Sequence, residues 1–418
     1  MSWFGRITKA IRNSYTVAAR SLRDSDPELD ALLGGAEVAA GVRVNTRTAL
    51  GYPAFFRGVK LVSDTVAKLP LYVRQLEEDG GSPIDKTHPA YRLINRKPND
   101  FMTASVLQRT LTLHAQMHGN GYAYITRDGR GDPIELTILD SQSTYPVKWI
   151  QKDSEKMEVW YVSTVGNEII RIPAQDILHI RHLSLDGLIG LSVIDLMRES
   201  IGLGIAVKQF GARFFGEGAN CGGVLMVPGH IKKEAQLNLL NYWDKMTSGM
   251  KRSHRVALLQ DGAKFQKTTF APEEAQFLET KRFELIEIAN IIGVPPHKLG
   301  DNSRQAYNSI EAENRNALEE SYDPWLCTWE EELEAKLLTE EQQDSESHVI
   351  QFDRSLMVRT TWAERAAGYR VYREMGVFSA NDVCRLEGIE TIGPEGDVRY
   401  VPSNWIRSDA EPNTGSSQ

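Results

Sequence analysis

The sequence predicts an α+β protein built in several segments, and three observations carry that reading. Between residues 122 and 182, short runs alternate apolar and polar residues, the period-two signature of half-buried strands. From 191 to 216, and again from 271 to 339, apolar residues recur every three or four positions, as on helices. The chain has 418 residues, 41% hydrophobic and 25% charged, an ordinary globular balance with length for two or three cores.

Composition also excludes function classes. No apolar run approaches the roughly 18 residues that a membrane-spanning helix needs. The opening MSWFGRITKAIRNSY is basic and weakly amphipathic, without the apolar stretch of a secretory signal. Cys221, Cys327 and Cys384 are widely spaced and odd in number, which argues for a reducing cytoplasm. A formal net charge of −8 speaks against a conventional duplex binder with one basic face. It does not exclude a protein through which DNA must slide, since each phosphate neutralised adds salt-dependent grip and a strongly basic lumen would hold its cargo. The sequence has no G-x-x-x-x-G-K-[ST] phosphate loop.

Taken in order, residues 1–45 show no sustained period and are expected to form a loose arm. Tyr52 to Leu69 reads as a helix with Phe55, Val59, Val62 and Val66 on one face, stopped by Pro70. A strand starts at Leu71, and residues 88–119 read as one further helix ending at Gly119. Strands are expected at 122–126, 134–139, 147–150, 159–162, 169–172 and 177–180. Arg130-Gly131-Asp132 lies in a hairpin turn between the first two. Ser192, with Asp195 three residues on, opens a helix whose glycines 202, 204 and 211 cost nearly 1 kcal/mol each. They make sense where neighbouring helices pack closely.

Residues 219–270 read as a small α/β insertion with a basic cluster, Lys251, Arg252, His254 and Arg255. A second helix begins at Pro272 and carries Leu278, Leu285, Ile288, Ala289 and Ile292 on its stripe. Gly293 and Pro295-Pro296 end it. A loop of about fourteen residues follows, and loops that long in compact domains are usually functional or disordered. Asn308 and Glu311 then cap a helix running to about residue 338, roughly 45 Å, kinked at Pro324. EEQQDSES at 340–347 reads as a polar linker and Val349–Phe352 as a strand. Thr361 with Glu364 and Ser379 with Asp382 open two more helices.

One catalytic reading competes. His114 and His118 stand one helical turn apart, as in H-E-x-x-H zinc hydrolases, which suggests a metal-dependent hydrolase. Ala115 occupies the place of the general-base glutamate, so water on such a metal would have no proton acceptor. His179 and His182 close an alternating run whose side chains point to opposite faces.

IANIIGVPPHKLGD (288–301), YNSIEAENR (307–315) and PWLCTWEEELEAKLL (324–338) together resemble the signature of tailed-bacteriophage portal proteins of the long-tailed, siphovirus type. GARFFGEGANCGGVL (211–225) and MGVFSANDVCRLEG (375–388) add to the resemblance, which spans roughly residues 46–405. It implies a portal fold that assembles as a ring, expected to be dodecameric. Its parts would be an N-terminal arm at 1–45, a wing at 46–190, stem helices at 191–216 and 271–293, and a small α/β clip at 217–270. A tunnel loop at 294–307, a long kinked wing helix at 308–339, a helical crown at 340–408 and a disordered tail at 409–418 complete it.

The resemblance further implies a head-tail connector in the virion, assembled in the bacterial cytoplasm. Double-stranded DNA would pass through it without sequence readout. Gly300, Asp301, Asn302, Ser303, Arg304 and Gln305 would face that DNA in the tunnel loop. The clip cluster would touch the terminase large subunit, the head-tail adaptor or DNA, and the major capsid protein and scaffold would also be partners. No enzyme activity, cofactor or metal is implied.

Overall fold

Period-two runs with polar turns can bury their apolar faces only against each other, and here they form two sheets packed face to face. The computed structural model describes residues 37–78, 81–150, 157–165, 168–216, 223–227, 233–247, 264–267, 274–301, 316–356 and 362–400. The chain divides into two compact units, residues 1–353 and 354–418.

In the first unit, Asn45 caps helix α1 (Thr46–Leu50) through a capping box with Thr48. Helix α2 (Pro53–Lys68) starts on a proline, buries Phe55, Val59, Val62 and Val66, and stops before Pro70. The expected loose arm reaches into this body: Val38 and Val44 are buried, filling the notch that Gly202 leaves. Strand β1 (Leu71–Gln75) follows. Where one helix was expected at 88–119 there are two, α3 (Pro89–Asn95) and α4 (Ala104–His118). Pro98 lacks a ladder donor, and the Asn99 carboxamide oxygen accepts from the amides of Phe101 and Met102, so the backbone turns instead. Gly119, at φ 79°, ends α4 in the left-handed region.

Strands β2 (Asn120–Arg127), β3 (Pro133–Leu139), β4 (Thr144–Ile150), β5 (Met157–Val165), β6 (Glu168–Pro173) and β7 (Ile177–Arg181) form two antiparallel sheets. Their orders are β3-β2-β7 and β4-β5-β6. Tyr122, Tyr124, Leu139, Tyr161, Val165, Ile170, Ile172 and Ile177 fill the space between them. The Arg130-Gly131-Asp132 triplet is the β2–β3 hairpin turn, tied by Asp128, which accepts from the amides of Arg130 and Asp132.

After a one-turn helix at Val193–Leu196, helix α5 (Arg198–Gly216) leaves this body, and helix α7 (Glu274–Ile292) returns to it. Ser192 caps the first turn by accepting from the Asp195 amide, but Met197 breaks the helix before α5 begins. Between the two, strand β8 (Gly223–Met226), helix α6 (Lys233–Thr247) and strand β9 (Lys264–Lys267) are described, and β8 pairs antiparallel with β9. The proposed cluster Lys251, Arg252, His254 and Arg255 lies outside the described residues.

The helix after the loop is described from residue 316, so its expected caps Asn308 and Glu311 lie outside the described residues. The expected kink site carries a six-residue π-turn, Ala317–Tyr322, directly before helix α8 (Asp323–Leu337) with Pro324 in its first turn. A proline has no N–H to give and its ring presses on the preceding turn, so the wider turn accommodates it.

Helix α9 (Glu340–Asp344) stands where a linker was expected. Its capping box, Thr339 with Gln342, was present in the sequence. Strand β10 (His348–Phe352) pairs with β1, so residues 340–353 belong to the first unit. The outer edge of β10 is covered by side chains of α8. Glu334 accepts from the Ile350 amide and Glu330 from the Phe352 amide.

The second unit contains helices α10 (Trp362–Glu374) and α11 (Ala380–Glu387). Ser379 and Asp382 form the expected capping box, while Thr361 lies outside the described residues. Trp362, Tyr369, Val383, Ile389 and Tyr400 line an open groove of about 610 Å³.

Gly119 and Gly190 bring two backbone segments of the first unit together. The Asn120 side chain clamps this approach, accepting from the Gly190 amide at 2.8 Å and donating to its carbonyl at 3.0 Å. A Cβ at residue 190 would overlap the Gly119 carbonyl, whereas one at Gly129 meets nothing within 4 Å. Gly190→Ala is therefore expected to cost about 3 kcal/mol in chemical denaturation, and Gly129→Ala close to none.

Candidate functional site

The glycines of α5 and α2 mark where helices touch. A Cβ at Gly204 would stand 2.8 Å from the Tyr52 ring, and one at Gly211 would stand 2.7 Å from Phe277 of α7. One at Gly58 of α2 would overlap Ile292 of α7. These residues thus let α2, α5 and α7 pack closely, as the sequence suggested for Gly204 and Gly211 but not for Gly58. Ile288 and Ala289 of the predicted stripe are fully buried, but Leu278 is 65% exposed. It lies about 21 Å before Ile292, where α7 meets Gly58 of α2.

Glu284 of α7 is buried beside this contact, 2% exposed, and its Oε2 has no partner. Burial raises its pKa, and Glu287 adds to the rise. Tyr52 is pushed up to about 12, by burial first and then by the two glutamates. Spacing did not single out Glu284, because a glutamate on a helix normally reads as a solvent-facing position.

Gly293 closes α7 at φ 76°, with the Val294 amide donating to the Ala289 carbonyl. The stretch expected as an aperiodic loop starts with a helical turn, Pro296–Leu299, which Gly300 ends at φ 112°. Asp301 then folds back onto α7, where its Oδ2 takes the Arg282 Nε at 3.1 Å. Of the six residues expected to face DNA, Gly300 and Asp301 form this stapled base. Asn302, Ser303, Arg304 and Gln305 lie outside the described residues. The Arg282–Asp301 pair had no sequence signal, since it depends on the chain reversing over Gly293.

On the far side of the loop α8 is held to the sheets. Glu332 accepts from the His179 amide at 3.1 Å and pairs with Arg181 at 2.9 Å. Arg127 donates to the Lys336 carbonyl at 2.7 Å and pairs with Asp176 at 3.1 Å. The Trp329 indole donates to Thr112 of α4 at 3.0 Å.

The histidines are part of this structure. His179 donates from Nε2 to the Asn120 Oδ1 at 2.9 Å, and its Nδ1 accepts from the Tyr161 hydroxyl at 3.0 Å. That tautomer is neutral, and burial first, then Arg181 and Lys336, lowers its pKa to about 2. His182 lies against Trp325, with ring centroids 5.4 Å apart and planes tilted by 46°. His118 Nε2 lies 3.4 Å from the Thr46 hydroxyl, and His114 is lowered to about 4 by burial and then by His118. No group of three His, Cys, Asp or Glu side chains converges as a metal site among the described residues.

The phage portal protein family model matches residues 53–388, which takes in the packed sheets, the helix pair and the stapled loop. This chain belongs to the phage portal protein family. The probable portal protein of Streptomyces phage phiC31 is 32% identical over 410 residues, covering 95% of this chain and 87% of that one. The portal protein of Enterobacteria phage HK97 is 26% identical over 382 residues, covering 90% and 88%. Among solved structures, an HK97-family portal protein from Corynebacterium diphtheriae matches with a TM-score of 0.55 at 14% identity. That match covers 75% of this chain and 98% of the other. A chain in the neck of a native gene transfer agent particle, computed with C12 symmetry, matches with a TM-score of 0.52 at 21% identity. It covers 82% and 92%. The hydrolase reading has no support in this family match or in the placement of His114 and His118.

Two pH effects follow for the portal chain. Unfolded, His114 titrates near 6.5, so its contribution is complete above that pH and is lost as pH falls towards 4. His114→Gln should remove about 3 kcal/mol of that decline, read as denaturation midpoints from pH 7 to 4, and bind no less zinc than the parent. Glu284 has the opposite sign, since its raised pKa makes stability fall as pH rises through it. Glu284→Gln should melt above the parent at pH 8 and level with it at pH 4.

Proposed function

We propose that this chain is the portal subunit of a phage or prophage head, a ring at one capsid vertex that joins head to tail. The carrying observation is the family match over residues 53–388, which takes in the helix pair and the loop between two anchored ends. A closed ring of about twelve copies is the reading that a portal-like chain in a neck computed with C12 symmetry favours. Double-stranded DNA passes through the ring during packaging and ejection, held without sequence readout.

Residues 46–190 serve as the wing, α5 and α7 as the stem, and 217–270 as the clip. Residues 294–307 are the tunnel loop. In the clip, Lys251, Arg252, His254 and Arg255 meet the terminase large subunit during packaging and the head-tail adaptor afterwards. Major capsid protein and scaffold meet the outer surface of the ring. In the tunnel loop, Asn302, Ser303, Arg304 and Gln305 touch the duplex. One arginine per copy gives contacts weak enough to break and remake. Its role is mechanical and structural, and the terminase supplies the motor.

Native mass spectrometry is expected to give a ring of about twelve chains. A monodisperse monomer at micromolar concentration, with no larger species when capsid protein is added, would overturn the reading. Deleting residues 302–305 keeps the Arg282–Asp301 staple, so rings should form while procapsids package or retain less DNA. Unchanged packaging with the loop shortened would remove it from the mechanism.

A further inference from the structure

Two apolar surfaces of the first unit stand uncovered, and their shapes are unlike. Between β7 and the helical turn at Val193–Leu196 the chain makes a loop, residues 182–191, that carries Leu183, Leu185 and Ile189 into solvent. Leu185 is 87% exposed. The loop is held from within. Asp186 Oδ1 accepts from the Leu188 and Ile189 amides at 2.8 and 2.9 Å, and the Ser184 hydroxyl donates to the Ile189 carbonyl at 2.6 Å. Arg181 donates to the Gly187 carbonyl at 2.6 Å, and the Leu191 amide closes the base by donating to the Leu183 carbonyl at 2.8 Å. Apolar side chains on a turn fixed in this way lose little further freedom on docking.

The second surface is the outer face of the β4-β5-β6 sheet. Directly paired residues share a face, and the register sets Tyr145 beside Val162 and Arg171, and Val147 beside Trp160. Trp149 follows on the same side of β4. Tyr145 is 52% and Trp149 53% exposed, and neither ring meets another aromatic ring among the described residues. The Trp160 indole donates to Glu158 at 3.2 Å, which fixes its ring on this face.

A ring repeats one contact head to tail, so each copy needs two different surfaces that its own chain does not bring together. These two qualify. The loop leaves β7, which belongs to the facing β3-β2-β7 sheet. The Asp186 carboxyl is lowered to about 2, by the Ile189 and Leu188 amides first and least by Lys148, which points to the side of β4 opposite Tyr145 and Trp149. The loop therefore lies on the side of the sheet away from the exposed rings. We propose that Leu185 and Ile189 of each copy rest on the Tyr145–Trp149–Trp160 face of the next copy, with Asp186 meeting Arg171 there. This rests on the ring reading above. Charge favours a second copy as the occupant. Asp186 spends Oδ1 on its own turn and leaves Oδ2 for a cation. Arg171 is exposed in the row of Tyr145 and has no ion-pair partner among the described residues. Aromatic rings at the centre supply the burial, and one charge pair at the rim sets the register.

Native mass of the unaltered chain is measured first, and absence of rings there defeats the ring reading and this contact together. If rings form, Leu185→Asp should weaken assembly by about tenfold or more, while Leu185→Met retains rings. Leu185 is exposed in the single chain, so an unchanged melting curve for the monomer shows that folding is intact. Arg171→Glu should weaken assembly as well. Adding Asp186→Asn should restore part of it, because the asparagine oxygen still holds the turn and no longer repels the new glutamate. In chains with Cys221, Cys327 and Cys384 replaced by Ser, Leu185→Cys with Trp149→Cys should oxidise to a ladder of oligomers reaching the full ring. Mixing the two single-cysteine variants should give cross-linked dimers and nothing longer. Intact rings with Leu185→Asp, or rings without a ladder, overturn the contact while leaving the ring reading standing. Intact Leu185→Asp rings that fail to enter procapsids would assign the loop to the capsid protein instead. If the cysteine-free background does not assemble, the Leu185 and Arg171 substitutions decide alone.

Discussion

The packing of α2, α5 and α7 depends on the side chains that Gly58, Gly204 and Gly211 lack. With a methyl group at any of them, a ring or an isoleucine on the facing helix would have to move. Each glycine costs nearly 1 kcal/mol of helix propensity, so α5 is a poor helix by local preference alone. It forms because Tyr52 and Phe277 reach into the vacated space, and that packing outweighs the propensity deficit. The consequence goes beyond stability. Close packing fixes the rotation of α5 and α7 about their own axes, which decides which residues remain on the outside.

The polar contacts serve a different end. Glu332 holds a backbone amide and an arginine at once, and hydrogen bonds to a charged group are worth about 1.5–3 kcal/mol each. Its partner strand carries His179, whose neutral ring is bound at both nitrogens and stays neutral throughout the physiological range. A charged imidazole here would meet Arg181 at close quarters in a buried site, so neutrality is a condition of the fold. With α8 held in this way and Asp301 stapled to Arg282, both ends of the loop are set by contacts outside it.

How much of this could be read from the residues varies with the range of the interaction. Strands β2 to β7, the stop at Pro70 and the Ser379 box were legible, because period, proline and capping act within a few residues. The break at Pro98 was missed although its signal is local, since Asn99 works by an Asx turn inside an apparently continuous pattern. The α9 capping box at Thr339 was likewise overlooked behind a polar composition. Val38 and Val44 escaped for another reason. Their burial depends on Gly202, some 160 positions away, and no local pattern announces such a partner. Gly204 and Gly211 were read correctly as packing sites, but Gly58 was not, and the residues that fill all three were not foreseen.

The histidines show how a motif loses its meaning once burial is known. A metal ligand must offer an accessible lone pair, and a catalytic site needs a base near the bound water. His114 and His118 have the spacing, yet burial depresses both, and the general-base position holds Ala115. The exposed apolar residues of α5 and α7 shift in the other direction. As a helical stripe they suggest core, but one chain leaves them in water, where a lone Leu203 or Phe283 gains nothing from burial.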